Sequence, residues 1–411
     1  MTEATTRRGL PPAVYALLAT SFLTSFATVG QITILGKQVF DMTGRELDLG
    51  LLGLAEFLPL ALAAPFTGAL ADRLDRRRVF AFGIVGEVAT SLGLFWYVST
   101  DPSAVAPIFG LVVVYGFARS LASPAVRALA IDVAPPDQLE RVIALRSVAF
   151  QAGGIVGPVA AGFFFVADIA LPYAISAGAY VAAAVLISSI PRLPTRRLAT
   201  RGGVQALRDA MDGLRFIRRQ PVIFGAISLD LFAVLLGGII ALLPAIAEER
   251  LGVGAVGLGG LRAAISAGAA TMAITLSIRP LRRHVGKTLL GVVGAFGVLH
   301  LAIAFTTAYA IACVLFFFAA ALDSVSVFIR ATLIPLATPE DMRGRVLAVE
   351  NVFIGASNEM GAVESGVTAA IFGLVGAMVF GSVGTLVVVA AWWRWFPALR
   401  DVDRFDEVRA T

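Results

Sequence analysis

Four ionisable residues fall deep inside long apolar stretches: Glu56, Arg119, Asp230 and Asp323. A charge at mid-bilayer costs about 2.5–3.5 kcal/mol on insertion scales, so each requires a reason to be there. A carboxylate held out of water can take up and release a proton, and a nearby arginine can balance it. The spacing adds weight. Asp323, Ser326 and Arg330 follow at i, i+3 and i+7, and Arg119, Ser123 and Arg127 at i, i+4 and i+8, so each set shares one helix face. A second polar set repeats every seven residues: Glu350, Ser357 and Glu364, beside Asn351, Asn358 and Ser365, with Glu359 adjoining. Such a stripe cannot face lipid. Arg146 and Arg262 are placed to meet it, as is Glu56. For Arg127, Arg146, Arg330 and Glu350, near the ends of their apolar runs, structural ion pairing is the simpler role. For Asp230, Asp323 and Glu56, at greater depth, proton or substrate handling is expected.

The elements that hold these residues are membrane helices. Of the 411 residues 58% are hydrophobic and 15% charged, and the mean hydropathy is +0.85. The apolar runs reach the ~20 residues a helix needs to cross a bilayer. They lack the alternation of a membrane β-barrel. Twelve spans are predicted, at roughly 13–40, 47–71, 79–99, 104–131, 142–167, 169–190, 222–247, 253–278, 288–307, 309–336, 346–368 and 370–393. Arg7 and Arg8 precede the first, which is too long for the apolar core of a cleaved signal and is read as a span. Loops 72–78, 191–221, 279–287 and 337–345, with both termini, carry most of the lysines and arginines. The opposite loops show Lys37, Arg45 and Arg250. Positive charge stays inside, so both termini are expected in the cytoplasm.

The chain divides into an N-terminal half, 1–190, a linker, 191–221, a C-terminal half, 222–396, and a tail, 397–411. Val204, Leu207, Met211 and Leu214 recur at helical spacing in the linker, near Arg208, Arg215, Arg218 and Arg219, which predicts an amphipathic helix on the inner leaflet. The halves repeat. "PDQLERVIALRSV" (Pro136 to Val148) aligns with "PEDMRGRVLAVENV" (Pro339 to Val352), "SPAVRA" (Ser123 to Ala128) with "SVFIRA" (Ser326 to Ala331), and the register sets Gly157 on Gly361 and Gly162 on Gly366. Duplicated six-span halves are a transporter architecture, with substrate near the midplane between them.

"GALADRLDRRRVF", Gly68 to Phe80, packs four arginines and two aspartates between two spans. These residues resemble the signature loop of the major facilitator superfamily, G-x-L-A-D-R-x-G-R-R. Gly68, Leu70, Ala71, Asp72, Arg73, Arg76 and Arg77 match it, and Asp75 stands where glycine is usual. "LDLFAVLLGGIIALLPAIAEERL" (Leu229 to Leu251) and "GLGGLRAA" (Gly257 to Ala264) are similar to the subgroup of bacterial enterobactin exporters and multidrug efflux proteins, which often has an acidic residue at the Asp75 position. The resemblance implies an all-α membrane fold of two pseudo-symmetric six-helix halves in the bacterial inner membrane. It also implies that spans 1, 4, 7 and 10 line the cavity, span 1 with Thr20, Thr24, Thr28 and Gln31, an arrangement that would let Arg119 pair with Asp323 or Asp230. Spans 3, 6, 9 and 12 become outer supports, Glu87 and His300 notwithstanding. The signature loop implies a latch in which Asp72 and its arginines hold spans 2 and 11 together. The counterpart "RPLRRHVGK" (Arg279 to Lys287) lacks the aspartate, so the latch is asymmetric.

The function expected on these grounds is proton-coupled export of a hydrophobic or amphipathic small molecule, such as a siderophore or drug, by alternating access. Alternatives are lipid or lysolipid movement, or a non-transporting membrane sensor or assembly partner. No phosphate loop and no constellation of nucleophile, base and orienting group is present, so an enzyme is not expected. A lone Cys313 and two distant histidines, His284 and His300, give no disulfide or metal cluster. Partners are a small-molecule substrate, protons and membrane lipids, with no cofactor and no nucleic acid, and the chain is expected to act as a monomer.

Overall fold

The computed structural model describes residues 10–73, 75–135, 138–190 and 203–408. Long apolar stretches become helices, several opened by a proline in the first turn, where a missing N–H costs nothing. In order they are span 1 (Pro12–Thr43), span 2 (Glu46–Arg73), span 3 (Arg76–Val98), span 4 (Ala106–Val133), span 5 (Leu139–Ala167) and span 6 (Leu171–Ser188). After the linker helix (Gly203–Arg219) come span 7 (Pro221–Arg250), span 8 (Gly254–Ile278), span 9 (Val285–Phe305) and span 10 (Tyr309–Leu336). A last stretch, Glu340–Trp395, breaks at Gly373 (φ 73°) into span 11, 340–372, and span 12, 374–395. The left-handed backbone at that turn suits glycine alone.

Span 7 departs from the single helix the sequence predicts. Its α-helix stops at Leu236. Gly237 and Gly238 follow, then a 3₁₀ turn (Ile239–Leu242) and a π turn (Ile246–Arg250). Discontinuous helices of this kind mark binding sites in transporters.

The duplication is visible in the packing. A side chain at Gly157 would press on the Phe26 backbone of span 1, and one at Gly361 on the Val234 backbone of span 7. Likewise Gly162 meets Ala255 of span 8 and Gly366 meets Glu46 of span 2, each across the seam between halves. Small residues let membrane helices approach this closely. The seam thus runs along spans 2 and 11 on one side and spans 5 and 8 on the other. Its contacts lie in the parts of the spans remote from the termini. There Lys37 of span 1, buried, bonds Asp41 at 2.7 Å and pairs with Glu248 of span 7 at 3.1 Å.

The linker helix forms, and its C-terminal part packs on the C-terminal half. Ile217 is buried in the C-terminal core with Leu214 against it, and Arg345 at the start of span 11 pairs with Asp209 at 3.0 Å. Of the predicted apolar stripe Leu214 thus meets protein, whereas Met211 is 45% exposed and the side chains of Val204 and Leu207 lie outside the described residues.

Candidate functional site: two ion pairs beside two cavities

In the N-terminal half, Gly116 of span 4 lies against the Glu56 carbonyl of span 2, a closeness no side chain at 116 would permit. One turn later, Arg119 reaches the Glu56 carboxylate and forms a salt bridge. The pair is partly shielded, with side chains 32% and 18% exposed, and removing one member leaves the other charge without its partner. Glu87 of span 3, 3% exposed, makes no ion pair with any described residue, and it shares with Arg119, Arg146, Thr24 and Thr28 a cavity of about 370 Å³. Behind the cavity a hydroxyl ring closes. Tyr115 donates to Thr28 at 3.2 Å, the Tyr115 and Tyr180 hydroxyls are 2.8 Å apart, and Thr28 and Tyr180 are 2.9 Å apart. Ser91 donates to Gln31 at 2.7 Å.

The C-terminal half repeats the plan with different residues. Arg330 of span 10 bonds Asp230 of span 7 at 2.7 Å, both side chains under a tenth exposed. Asp323 lies two turns before Arg330 on the same face and makes no ion pair with any described residue. Its side chain opens into a cavity of about 460 Å³, walled by Phe296, His300, Phe316 and the Gly237–Gly238 break. The expected pairing of Arg119 with Asp323 or Asp230 is therefore not formed. Each half satisfies its own arginine, Arg119 with Glu56 across spans 2 and 4 and Arg330 with Asp230 across spans 7 and 10.

Between the two cavities run the remaining polar residues. Glu359 of span 11 lies over Gly53 of span 2, and it is within electrostatic reach of Glu56 and Arg119. Arg262 of span 8 has Glu56 as its charged neighbour, and Asn358 faces the larger cavity. Glu350 is buried near the Asp230–Arg330 pair. Glu364 is answered within its own helix by Thr368 at 2.6 Å and Ser365 at 3.4 Å. The heptad stripe is thus partly a helix-internal network.

Glu87 and His300 correct the sequence reading, which assigned spans 3 and 9 to support. Span 3 turns Glu87, Thr90 and Ser91 inward together, all at most 3% exposed, and His300 is 2% exposed. The i, i+3, i+4 grouping on span 3 was the available signal. For His300 there was none, since its neighbours in sequence are apolar.

Of the signature loop, the side chains of Asp72, Arg73 and Arg76, like that of Arg127, and the surroundings of Gly68 lie outside the described residues. Arg77 and Asp75 are placed. Asp75 caps span 3, accepting from the Arg77 backbone N–H at 3.0 Å and pairing with its guanidinium at 3.1 Å, while Arg77 also donates to the Ile190 carbonyl at the end of span 6. The bonds from Arg77 stabilise the Asp75 carboxylate and hold its pKa below the usual range. In the second half the missing acid comes from the tail. Asp403 accepts from His284 Nδ1 at 2.7 Å and from the His284 backbone N–H at 2.9 Å.

Known proteins share this architecture. The Major Facilitator Superfamily matches residues 14–358. The enterobactin exporter EntS of Salmonella choleraesuis is 28% identical over 87% of this chain and 85% of its own length. An MFS-type transporter of Bacillus subtilis, YfiS, is 26% identical over 47% of this chain and 46% of its own. A bacterial homologue of the human lysosomal transporter Spinster, in an inward-facing and unoccupied conformation, superposes with a TM-score of 0.75 at 16% identity, over 98% of this chain and 99% of that one. The nucleoside transporter NupG superposes with a TM-score of 0.74 at 12% identity, over 93% and 100%. At those identities the structural likeness speaks for the fold. With two facing six-helix halves, a duplicated glycine seam and a family match over most of its length, the chain belongs to the major facilitator superfamily of membrane transporters.

Proposed function

We propose that the protein is a proton-coupled exporter of a hydrophobic or amphipathic small molecule, working by alternating access in a bacterial inner membrane with both termini in the cytoplasm. The observation that carries the reading is the repeated arrangement in each half: a cavity, an arginine–carboxylate pair within the bundle, and a further carboxylate without an ion pair among the described residues, Glu87 in one half and Asp323 in the other. A carboxylate facing a cavity can exchange a proton with it, and the adjacent pair senses the change in charge. Moving one charge through the membrane potential supplies about 2.3 kcal/mol per 100 mV, enough to bias two states of similar energy. Outward direction is supported by the relatives named as exporters. With the termini inside, the contacts of the seam close the outer side and leave the cavities facing the cytoplasm, where an exporter loads. The residues proposed for proton coupling or cargo are Glu56, Arg119, Asp230 and Asp323, joined by Glu87.

The test is purified protein in proteoliposomes with an imposed pH gradient and a panel of dyes, drugs, siderophores and fluorescent lysolipids, read by cargo movement and lumenal pH. Movement of a soluble cargo that follows the gradient and dissipates it is the expected result. Movement indifferent to the gradient would overturn the coupling, and movement of lipid alone would overturn the exporter reading.

A further inference from the structure

We infer that the C-terminal cavity is a binding site for a lipophilic organic cation, its charge held against Asp323 and its body against the aromatic wall of Phe296, His300 and Phe316. The inference rests on the transporter reading above only for calling that ligand the cargo. Several independent features converge. First, the Asp323 carboxylate opens into the cavity and no described residue forms an ion pair with it. Its charged neighbours are Asp230 and Arg330, and Arg330 is already taken by Asp230 at 2.7 Å. Glu350 adds a further carboxylate beside that pair. The region is left with an uncompensated negative charge. Arg262, also on the cavity wall, has Glu56 of the opposite half as its charged neighbour and not Asp323.

Second, the walls are aromatic. The His300 ring stands edge-on to Phe296 with centroids 3.9 Å apart, and Phe316 lies 6.3 Å beyond. Aromatic faces attract cations and desolvate them at little loss. His300 is 2% exposed, and its Nδ1 has no hydrogen-bond partner. A buried polar atom left so is costly unless something in the cavity meets it. Third, the α-helix of span 7 ends at this wall, at Gly237–Gly238. A helix C-terminus carries the negative end of the peptide dipoles, which favours a cation there. At about 460 Å³ the space lies within the roughly 300–1,000 Å³ of small-molecule sites. Asp323 and Glu359 both lie on the cavity wall, but the described residues bring no three metal-ligating side chains together, whereas an alkyl or aryl ammonium or phosphonium finds both of its needs.

The experiment measures saturable binding of radiolabelled tetraphenylphosphonium to the full-length protein in detergent at slightly alkaline pH, beside its isosteric anion, tetraphenylborate. Binding of the phosphonium and not of the borate is expected, weakened about tenfold or more in Asp323→Asn, several-fold in Phe296→Leu, and retained in Asp323→Glu. Because the comparison of the two ions uses the unaltered protein, it decides even if a variant fails to fold. Equal binding of the borate, no saturable binding of the phosphonium, or undiminished binding in Asp323→Asn would overturn the site. Binding needs no gradient, so the two readings fail separately. Asp323-dependent binding without gradient-driven transport keeps the site and removes the coupling. Gradient-driven transport of another cargo without phosphonium binding does the reverse.

Discussion

Glu359 of span 11 rests on Gly53 of span 2, so that a Cβ built on that glycine would lie 2.9 Å from Glu359 Oε2. One turn along the seam, a Cβ at Gly50 would lie 2.6 Å from the Ala362 carbonyl oxygen and 3.0 Å from the Val363 Cα. The two glycines face different obstacles: a flexible carboxylate end at 53, and backbone at 50. A carboxylate can swing aside, but a helix backbone must move as a whole. Gly50→Ala is therefore expected to force spans 2 and 11 apart, while Gly53→Ala displaces only Glu359. Distances between spin labels at the outer ends of spans 2 and 11, with Cys313 replaced, should lengthen in the first variant and stay near wild type in the second. The reverse order would mean that the seam is not the closed contact described.

Breaking the Asp230–Arg330 pair is expected to cost stability before it costs anything else. Truncating one partner of a buried pair is worth about 3–5 kcal/mol, because the other charge is stranded, whereas replacing both can be neutral. Asp230→Asn should lower the melting temperature of the purified protein markedly, and Asp230→Asn with Arg330→Gln should recover much of the loss. If the double variant is no more stable than the single, Arg330 serves its other charged neighbours, Asp323 and Glu350, as much as Asp230.

Glu87 has no such bond to lose among the described residues. Glu87→Gln keeps the shape of the side chain and removes its charge from a cavity where Arg119 is already held by Glu56. Little change in melting temperature is expected, together with loss of gradient-driven uptake into inverted proteoliposomes and persistence of cargo exchange at equal pH. Retained gradient response would assign Glu87 to packing. Glu56→Gln should behave differently, lowering both stability and transport, since it leaves Arg119 alone.

The contrast between these acids shows where sequence reasoning reached and where it stopped. Twelve spans, the two-fold repeat and the pairing of Gly157 with Gly361 and of Gly162 with Gly366 were legible, because apolar run length and a duplicated register are properties of the chain itself. Asp230, Asp323, Glu56 and Arg119 were legible as misfits in apolar surroundings. Which acid meets which arginine was not. That depends on close approaches such as Gly116 to Glu56, which carry no periodic signal. Glu87 was visible but assigned to a lipid-facing helix, since the inward turn of span 3 follows from tertiary packing. The break in span 7 had a local mark, Gly237–Gly238, yet a glycine pair inside an apolar run also fits close helix contact. The linker helix was legible as amphipathic, but not that Leu214 and Ile217 would pack on the C-terminal core while Met211 stays exposed, a distinction that periodicity does not make.

Asp75 offers a test by pH of the short loop between spans 2 and 3. Its carboxylate caps span 3 and pairs with Arg77, and that hydrogen bonding holds its pKa below the ordinary aspartate value. A group whose value is lowered by folding adds stability that is present above its unfolded value, about 3.9, and is lost as pH falls through the lower folded value. Asp75→Asn keeps a capping oxygen and loses the charge, so it should differ from wild type by only a few tenths of a kcal/mol near neutrality, as exposed pairs do. The difference should fade in acid, below the ordinary aspartate range. Asp75→Ala loses the cap as well, at a cost of about 1 kcal/mol, of which the part due to the cap by a neutral oxygen persists at low pH. Melting temperatures of the three proteins across the acid range separate the two contributions. A gap between wild type and Asp75→Asn that widens as pH falls would contradict the lowered value and with it the Asp75–Arg77 contact.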